Sequence, residues 1–430
     1  MAMKKTGKRA RAGKRKAVAL FLVGMVLCGL SGCQTPEGKA PEEAAFRSEA
    51  GEKEESSGED RSTAEEETPV PTAGPDDGGE ESAAEKMLAG MTLEEKVGQL
   101  FMVRPEALSG GEASYPAGVT EVTDTMRETL KKYPVGGIVV FGQNIESPDQ
   151  LKKFTGDVAR LEGIPLFLAV DEEGGSVARL ANAEGFDLKR YASASATENA
   201  SEMGHTIGAY LREYGFHMDF APVADVNSNP ENPVIGTRAF SDDAQQVRKS
   251  AYDMAQALLA EGIMPVYKHF PGHGDTKEDS HQSLAVTHKT VEEMQQLEWV
   301  PYEGRDIPAV MVAHVAAPQA GVDGPSSLSY RAVTQWLRGM LRHDGLVITD
   351  ALEMGAITET YTAGEAAVAA IKAGVDILLM PEDLPEAFDA VVAAVESGEI
   401  GQARLDESVR RILQAKESLG MLSLLCYAPK

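Results

Sequence analysis

From Glu85 to about Gly420, short apolar runs alternate with longer stretches whose apolar residues recur every three or four positions. The short runs predict strands at Val97–Val103, Gly137–Phe141, Leu166–Val170, Met218–Val223, Ile263–Tyr267, Ala309–Ala313, Leu346–Thr349 and Ile377–Met380. Helical periodicity fills most of the intervals, as at Ala244–Glu261, Gly364–Lys372 and Ala387–Val395. This is the βα rhythm of a parallel sheet. Eight such units over residues 85–420 predict an α/β fold, a (β/α)8 TIM barrel in a single domain. A doubly wound open sheet is the alternative. It would favour a G-x-G-x-x-G after the first strand, and none follows Val103.

The pattern differs before residue 85. Residues 1–32 have the layout of a lipoprotein signal peptide: a basic stretch from Lys4 to Lys16, then a short apolar core, Ala17 to Leu27. That core is too short for a comfortable membrane span. It closes with Leu30-Ser-Gly-Cys33, which looks like a bacterial lipobox, so Cys33 is the expected lipidation site. An uncleaved signal anchor is the rival reading. Either places the chain outside the cytoplasm and ties it to the membrane. Residues 33–84 are rich in Glu, Ser, Gly, Pro and Ala and nearly free of large apolar groups. Such a segment buries too little to offset its ordering entropy, and is expected to be a disordered acidic linker or stalk. Residues 421–430 read as a short tail.

Composition narrows the function classes. A formal charge of −26 and a pI near 4.8 argue against a nucleic-acid partner. With Cys28 in the signal segment and Cys33 lipidated, Cys426 is the only cysteine left. That excludes an intramolecular disulfide and a cysteine metal site. The expected state is a monomer.

The barrel reading makes a further prediction, because active sites of such barrels gather at the C-terminal ends of the strands. Those ends carry Asp171 after the third strand, Asp225 and Asn227 after the fourth, and Lys268 with His269 after the fifth. His314 ends the sixth and Asp350 the seventh. The densest stretch is Lys268-His-Phe-Pro-Gly-His-Gly-Asp275, which continues through Asp279-Ser-His281. A polar turn with hydrogen-bonded histidines is the bland reading of that loop. The chemical reading gives Asp350, fixed at the end of a buried strand, the role of a nucleophile that attacks from one direction. Alternatively it caps the next helix. His281 suits proton transfer near neutral pH, with Asp279 orienting its ring. Asp171 and Arg179, brought together across Gly174-Gly175, could grip vicinal hydroxyls or simply pair with each other. Arg238, on a loop after the fourth strand, is a weaker candidate. A metal site at His269, His273 and His281 competes, but lacks the usual ligand spacing. No metal and no cofactor is expected.

Taken together, these motifs resemble glycoside hydrolase family 3. They are Lys268-His-Phe-Pro-Gly-His-Gly-Asp275 with Asp279-Ser-His281, Thr349-Asp350-Ala-Leu352, and Asp171-Glu-Glu-Gly-Gly175. Met91-Thr-Leu-Glu-Glu-Lys-Val-Gly-Gln-Leu100 and Phe220-Ala-Pro-Val-Ala-Asp-Val-Asn227 are similar to the family's opening and fourth strand. Within the family the similarity is to the β-N-acetylhexosaminidases (NagZ-like enzymes). The resemblance implies a retaining mechanism with Asp350 as nucleophile and His281, paired with Asp279, as acid/base. It implies that Asp171, Arg179, Arg238, Lys268 and His269 bind the N-acetylglucosamine. Thr237 departs from the glutamate common before that arginine, and Ser176 and Ala178 replace longer polar residues. A second C-terminal domain, found in many members and the usual source of a glutamate acid/base in family-3 β-glucosidases, is not expected here. The substrate it suggests is a carbohydrate: peptidoglycan fragments with terminal β-linked N-acetylglucosamine, or chitin oligosaccharides. Phosphorolysis in place of hydrolysis stays open, as does a surface lipoprotein that binds sugar without turnover.

Overall fold

The computed structural model describes residues 82–110, 118–278, 280, 283–304 and 306–422. The signal segment, Cys33, all but the last residues of the acidic linker, Asp279, His281 and most of the tail lie outside the described residues.

Strands appear in all eight predicted places, several with altered bounds. They are β1 (Phe101–Val103), β2 (Gly137–Val140), β3 (Phe167–Val170), β4 (Met218–Asp219), the short β5 (Met264–Pro265) running on into β6 (Tyr267–Phe270), β7 (Ala309–Val312), β8 (Leu346–Thr349) and β9 (Leu378–Leu379). All pair in parallel, in two ladders: β9-β1-β2-β3-β4-β5 and β8-β7-β6. The ladders touch at two seams, each a single parallel bridge, Val223 with Lys268 and Ile348 with Ile377. The result is an α/β fold on a curled parallel sheet with helical crossovers. Ile138, Val139 and Val140 of β2 and Leu168, Ala169 and Val170 of β3 are fully buried, as expected of strands covered on both faces. Each large aliphatic buried in this way contributes roughly 1.5–3 kcal/mol.

Three boundaries differ from the sequence reading for identifiable reasons. The expected strand Val97–Val103 is half helix: Leu93–Gln99 coils behind a Thr92/Glu95 capping box, and only Phe101–Val103 is extended. The apolar run spans both elements, so apolarity alone could not separate them. The fifth strand, expected to end at Tyr267, continues to Phe270. Lys268 and His269 are therefore buried strand residues, not loop residues. The fourth ladder shrinks to Met218–Asp219, and Pro222, with no N–H to donate, lies just beyond it.

The helices match more closely. Ala244–Ala260 starts behind Asp243, Ala363–Ala373 behind a Thr362/Glu365 capping box, and Leu384–Glu396 behind Asp383 with Pro385 in its first turn. Two glycine positions are required by space. A Cβ on Gly274 would lie 1.8 Å from the Val226 carbonyl oxygen, and one on Gly175, at φ +79°, would lie 2.9 Å from Ser193 Cα. Both glycines sit in loops that reach the rim.

Candidate active site

The rim is built by strand ends that the register sets level. Val312 of β7 pairs with both Phe270 of β6 and Thr349 of β8. Asp350, one residue past β8, thus stands at the same height as the end of β6, two strand spacings or roughly 10 Å across the rim. Its backbone N–H donates to the Val312 carbonyl (2.9 Å), and its Oδ1 accepts from the Ala351 N–H (2.8 Å). The carboxyl is half-buried.

β6 and the segments after β3 and β4 carry a network of ion pairs. Lys268 Nζ, 3% exposed, contacts Asp171 Oδ1 at 2.7 Å and Glu173 Oε1 at 2.6 Å. Arg238 holds Glu173 with both arms of its guanidinium, Nε to Oε2 at 2.8 Å and Nη2 to Oε1 at 2.7 Å. The β-hairpin Glu172–Gly174/Val177–Ala178 turns the chain back through Gly174 and Gly175, both at φ +79°, and returns Arg179 to Asp171 at 3.6 Å. Arg179 also lies over the Phe141 ring, 5.3 Å from its centroid. Burial pushes the Glu173 carboxyl up, but Lys268 and Arg238 outweigh it and hold the group far below the usual range. Burial pulls Lys268 down, yet Asp171 and Glu173 raise it overall, so it stays an ammonium. The structure therefore gathers Asp171, Arg179, Arg238 and Lys268 into one cluster.

His269 joins through a different anchor. Its Nδ1 lies 2.6 Å from Asp225 Oδ2, and Asp225 Oδ1 accepts from the His273 backbone N–H at 2.7 Å. Asp225 is buried. Burial pushes its carboxyl up, but His269 reverses the sign and leaves it below the ordinary value. His273 is engaged at both ring nitrogens, Nδ1 with Thr276 Oγ1 (2.7 Å) and Nε2 with Ser280 Oγ (3.0 Å), and burial lowers its pKa. Among the described residues, no three acidic, histidine or cysteine side chains gather as metal ligands.

Sequence reasoning missed Glu173, which organises the cations. A signal was present: in an extended segment, residues two apart point the same way. Asp171 and Glu173 therefore share a face, and Glu172 takes the other. There Glu172 accepts from the Leu180 and Ala181 N–H groups and from the Tyr210 hydroxyl (2.8, 3.0 and 2.8 Å).

Residues 92–415 match the model of the glycosyl hydrolase family 3 N-terminal domain. The chain belongs to glycosyl hydrolase family 3. Among family-3 relatives, a β-hexosaminidase A of Pseudoalteromonas piscicida is 30% identical over 76% of this chain and 62% of its own length. The β-hexosaminidase LpqI of Mycobacterium tuberculosis is 33% identical over 70% of this chain and 80% of its own. Among solved structures, a family-3 β-N-acetylglucosaminidase from a Paenibacillus species superposes with a TM-score of 0.70 at 37% identity, over 77% of this chain and 63% of that one. The chain thus spans just under two thirds of the Pseudoalteromonas and Paenibacillus proteins.

Proposed function

We propose that this family-3 chain is a retaining β-N-acetylhexosaminidase that removes terminal β-linked N-acetylglucosamine from oligosaccharides. The observation that carries the reading is that Asp350 closes β8 at the height of the end of β6, the strand whose Lys268 enters the Asp171–Glu173–Arg238 ion-pair network. Asp350 is the nucleophile and His281, assisted by Asp279, the acid/base. The Asp350 carboxylate attacks C1 while the C1–O bond to the leaving group breaks, and that oxygen takes a proton from His281. Water then gives a proton to His281, attacks C1 from the opposite face and releases the Asp350 carboxylate. A strand-end carboxylate pre-set for one line of attack supplies the orientation such a displacement needs.

Asp171, Arg179, Arg238, Lys268 and His269 bind the sugar. Charged groups paired among themselves, with burial limiting their motion, suit a ligand of neutral hydroxyls and one amide. We read the two seams of the sheet as closing an eight-membered barrel, which would direct all these strand ends onto one face. The lipobox-like Leu30–Cys33 supports a place outside the cytoplasm on a lipid anchor at Cys33, and peptidoglycan fragments are the substrate we propose there.

The test is release of p-nitrophenol from the β-N-acetylglucosaminide and the β-glucoside, with phosphate varied. Release from the acetamido sugar alone, independent of phosphate, supports the proposal. Strict phosphate dependence would make the enzyme a phosphorylase. Preference for the glucoside would overturn the substrate, and no release from either would leave a binding protein.

A further inference from the structure

His314, at the end of β7, touches neither the ion-pair network nor the Asp225 anchor in any contact described above. It is fully buried, as is Ser327 beside it. Its Nε2 lies 2.9 Å from the carbonyl oxygen of Ala351, and its Nδ1 lies 2.7 Å from Ser327 Oγ. A carbonyl can only accept, so Nε2 carries the hydrogen, and the Ser327 hydroxyl can donate to Nδ1. Ser327 is itself fixed, its N–H donating to the Ala313 carbonyl at 3.1 Å. One tautomer satisfies the chain from Ser327 through the ring to Ala351.

The acceptor in that chain matters. The Ala351 carbonyl also closes the turn after Asp350, accepting from the Met354 N–H at 3.1 Å. On the opposite side of the same residue, the Ala351 N–H is the donor that holds Asp350 Oδ1. The turn is pinned at two further points, Leu352 N–H to the Leu379 carbonyl (2.9 Å) and Glu353 to Arg104 (2.7 Å). The Leu352 N–H belongs to the same peptide as the Ala351 carbonyl, so His314 on its oxygen and Leu379 on its N–H hold that peptide, the second after the carboxylate, from its two ends.

The geometry points to His314, with Ser327 setting its tautomer, as the positioning residue for the Asp350 carboxylate. Together with the Leu352 N–H bond it fixes the plane of the Ala351–Leu352 peptide, and so orients the adjoining Ala351 N–H that holds Asp350 Oδ1. This inference rests on the reading of Asp350 as nucleophile. Displacing an attacking atom by about 1 Å lowers a rate by up to roughly 100-fold, without altering how the substrate is held.

The experiment compares wild type, His314→Met, His314→Gln and Asp350→Ala in the full chain on the p-nitrophenyl acetamido glycoside, beside circular dichroism and thermal melting. Methionine fills the space without a donor. Glutamine can return a donor to the Ala351 carbonyl. Expected are a fall in kcat of about 10- to 100-fold for His314→Met with KM within about twofold of wild type, and recovery of most of that loss in His314→Gln. Wild-type kcat in His314→Met overturns the proposal, as does a natively folded His314→Gln that is no better than His314→Met. Should His314→Met not fold, Ser327→Ala keeps the ring and removes its partner. A several-fold fall in kcat at constant KM then supports the role, and an unchanged kcat overturns it. If Asp350→Ala retains turnover, the nucleophile reading fails and this role falls with it. If Asp350→Ala is inactive while His314→Met matches wild type, the positioning role alone is lost.

Discussion

The substitution Glu173→Gln probes the ion-pair network at its centre. The Glu173 side chain is 1% exposed and takes three charge-assisted contacts, two from Arg238 and one from Lys268. Glutamine is nearly isosteric, but removes the charge and places an amide N–H₂ against a guanidinium or an ammonium. Buried Lys268 is then left with Asp171, which is 15% exposed, and the largely covered Arg238 with the Val234 carbonyl at 3.1 Å. Breaking a buried ion pair by removing one partner costs about 3–5 kcal/mol. For a domain of this size that corresponds to a melting temperature lower by roughly 4–7 °C at neutral pH. The pH dependence has a definite sign. A carboxyl held below its unfolded value of about 4.3 stabilises the fold above that pH, and the benefit is lost as pH falls through the depressed value. The gap between wild type and variant should therefore narrow on acidification below about pH 4. Kinetically, freed cations should raise KM for the acetamido glycoside more than they lower kcat. The assay is thermal unfolding from pH 3 to pH 8 with parallel kinetics. A variant melting within about 1 °C of wild type at pH 7, with unchanged KM, would refute the claim that Glu173 holds the cluster together.

Two further outcomes follow from the same physics. Lys416 is fully buried, with Nζ donating to Gln99 Oε1 at 2.6 Å, and burial pulls its pKa down to about 7. Because the unfolded lysine titrates near 10.4, the wild type loses stability as pH drops from there to about 7, a term on the order of 4 kcal/mol. Lys416→Met should thus gain on wild type in urea denaturation between pH 10 and pH 7, offset by about 1–3 kcal/mol for the orphaned Gln99 oxygen; a difference independent of pH would contradict the assignment. His281→Ala should slow hydrolysis far more for poor leaving groups than for p-nitrophenol, since only the former need a proton. Equal losses on both would remove His281 from the acid/base role.

How much of this was legible varies by physical cause. Parallel strands read directly from continuous apolar runs, and capped helices such as Ala244–Ala260 from periodicity and an Asp at the start. The strand-end residues Asp171, Lys268 and Asp350 stood out because a polar group closing an apolar strand is conspicuous. Leu93–Gln99 was hidden because a helix and the following strand shared one apolar run, and the Thr92/Glu95 capping box was the only separator. Glu173 was masked by two acidic neighbours, although alternation along an extended segment distinguishes it. The charges buried away from the rim were beyond reach. Asp376 lies under Arg338, Arg404 and Arg411, and Lys416 under none, yet nothing local to either residue tells which charge the helices will cover. Those partners are decided by tertiary packing.

The central claim is a covalent intermediate on Asp350. The direct measurement is mass spectrometry of the enzyme after reaction with a 5-fluoro β-N-acetylglucosaminyl donor, whose intermediate forms faster than it breaks down. The account predicts one added sugar, carried on the peptide that contains Asp350 and absent from Asp350→Ala. An adduct on any other residue, or steady turnover of the acetamido glycoside with no adduct at all, would contradict it.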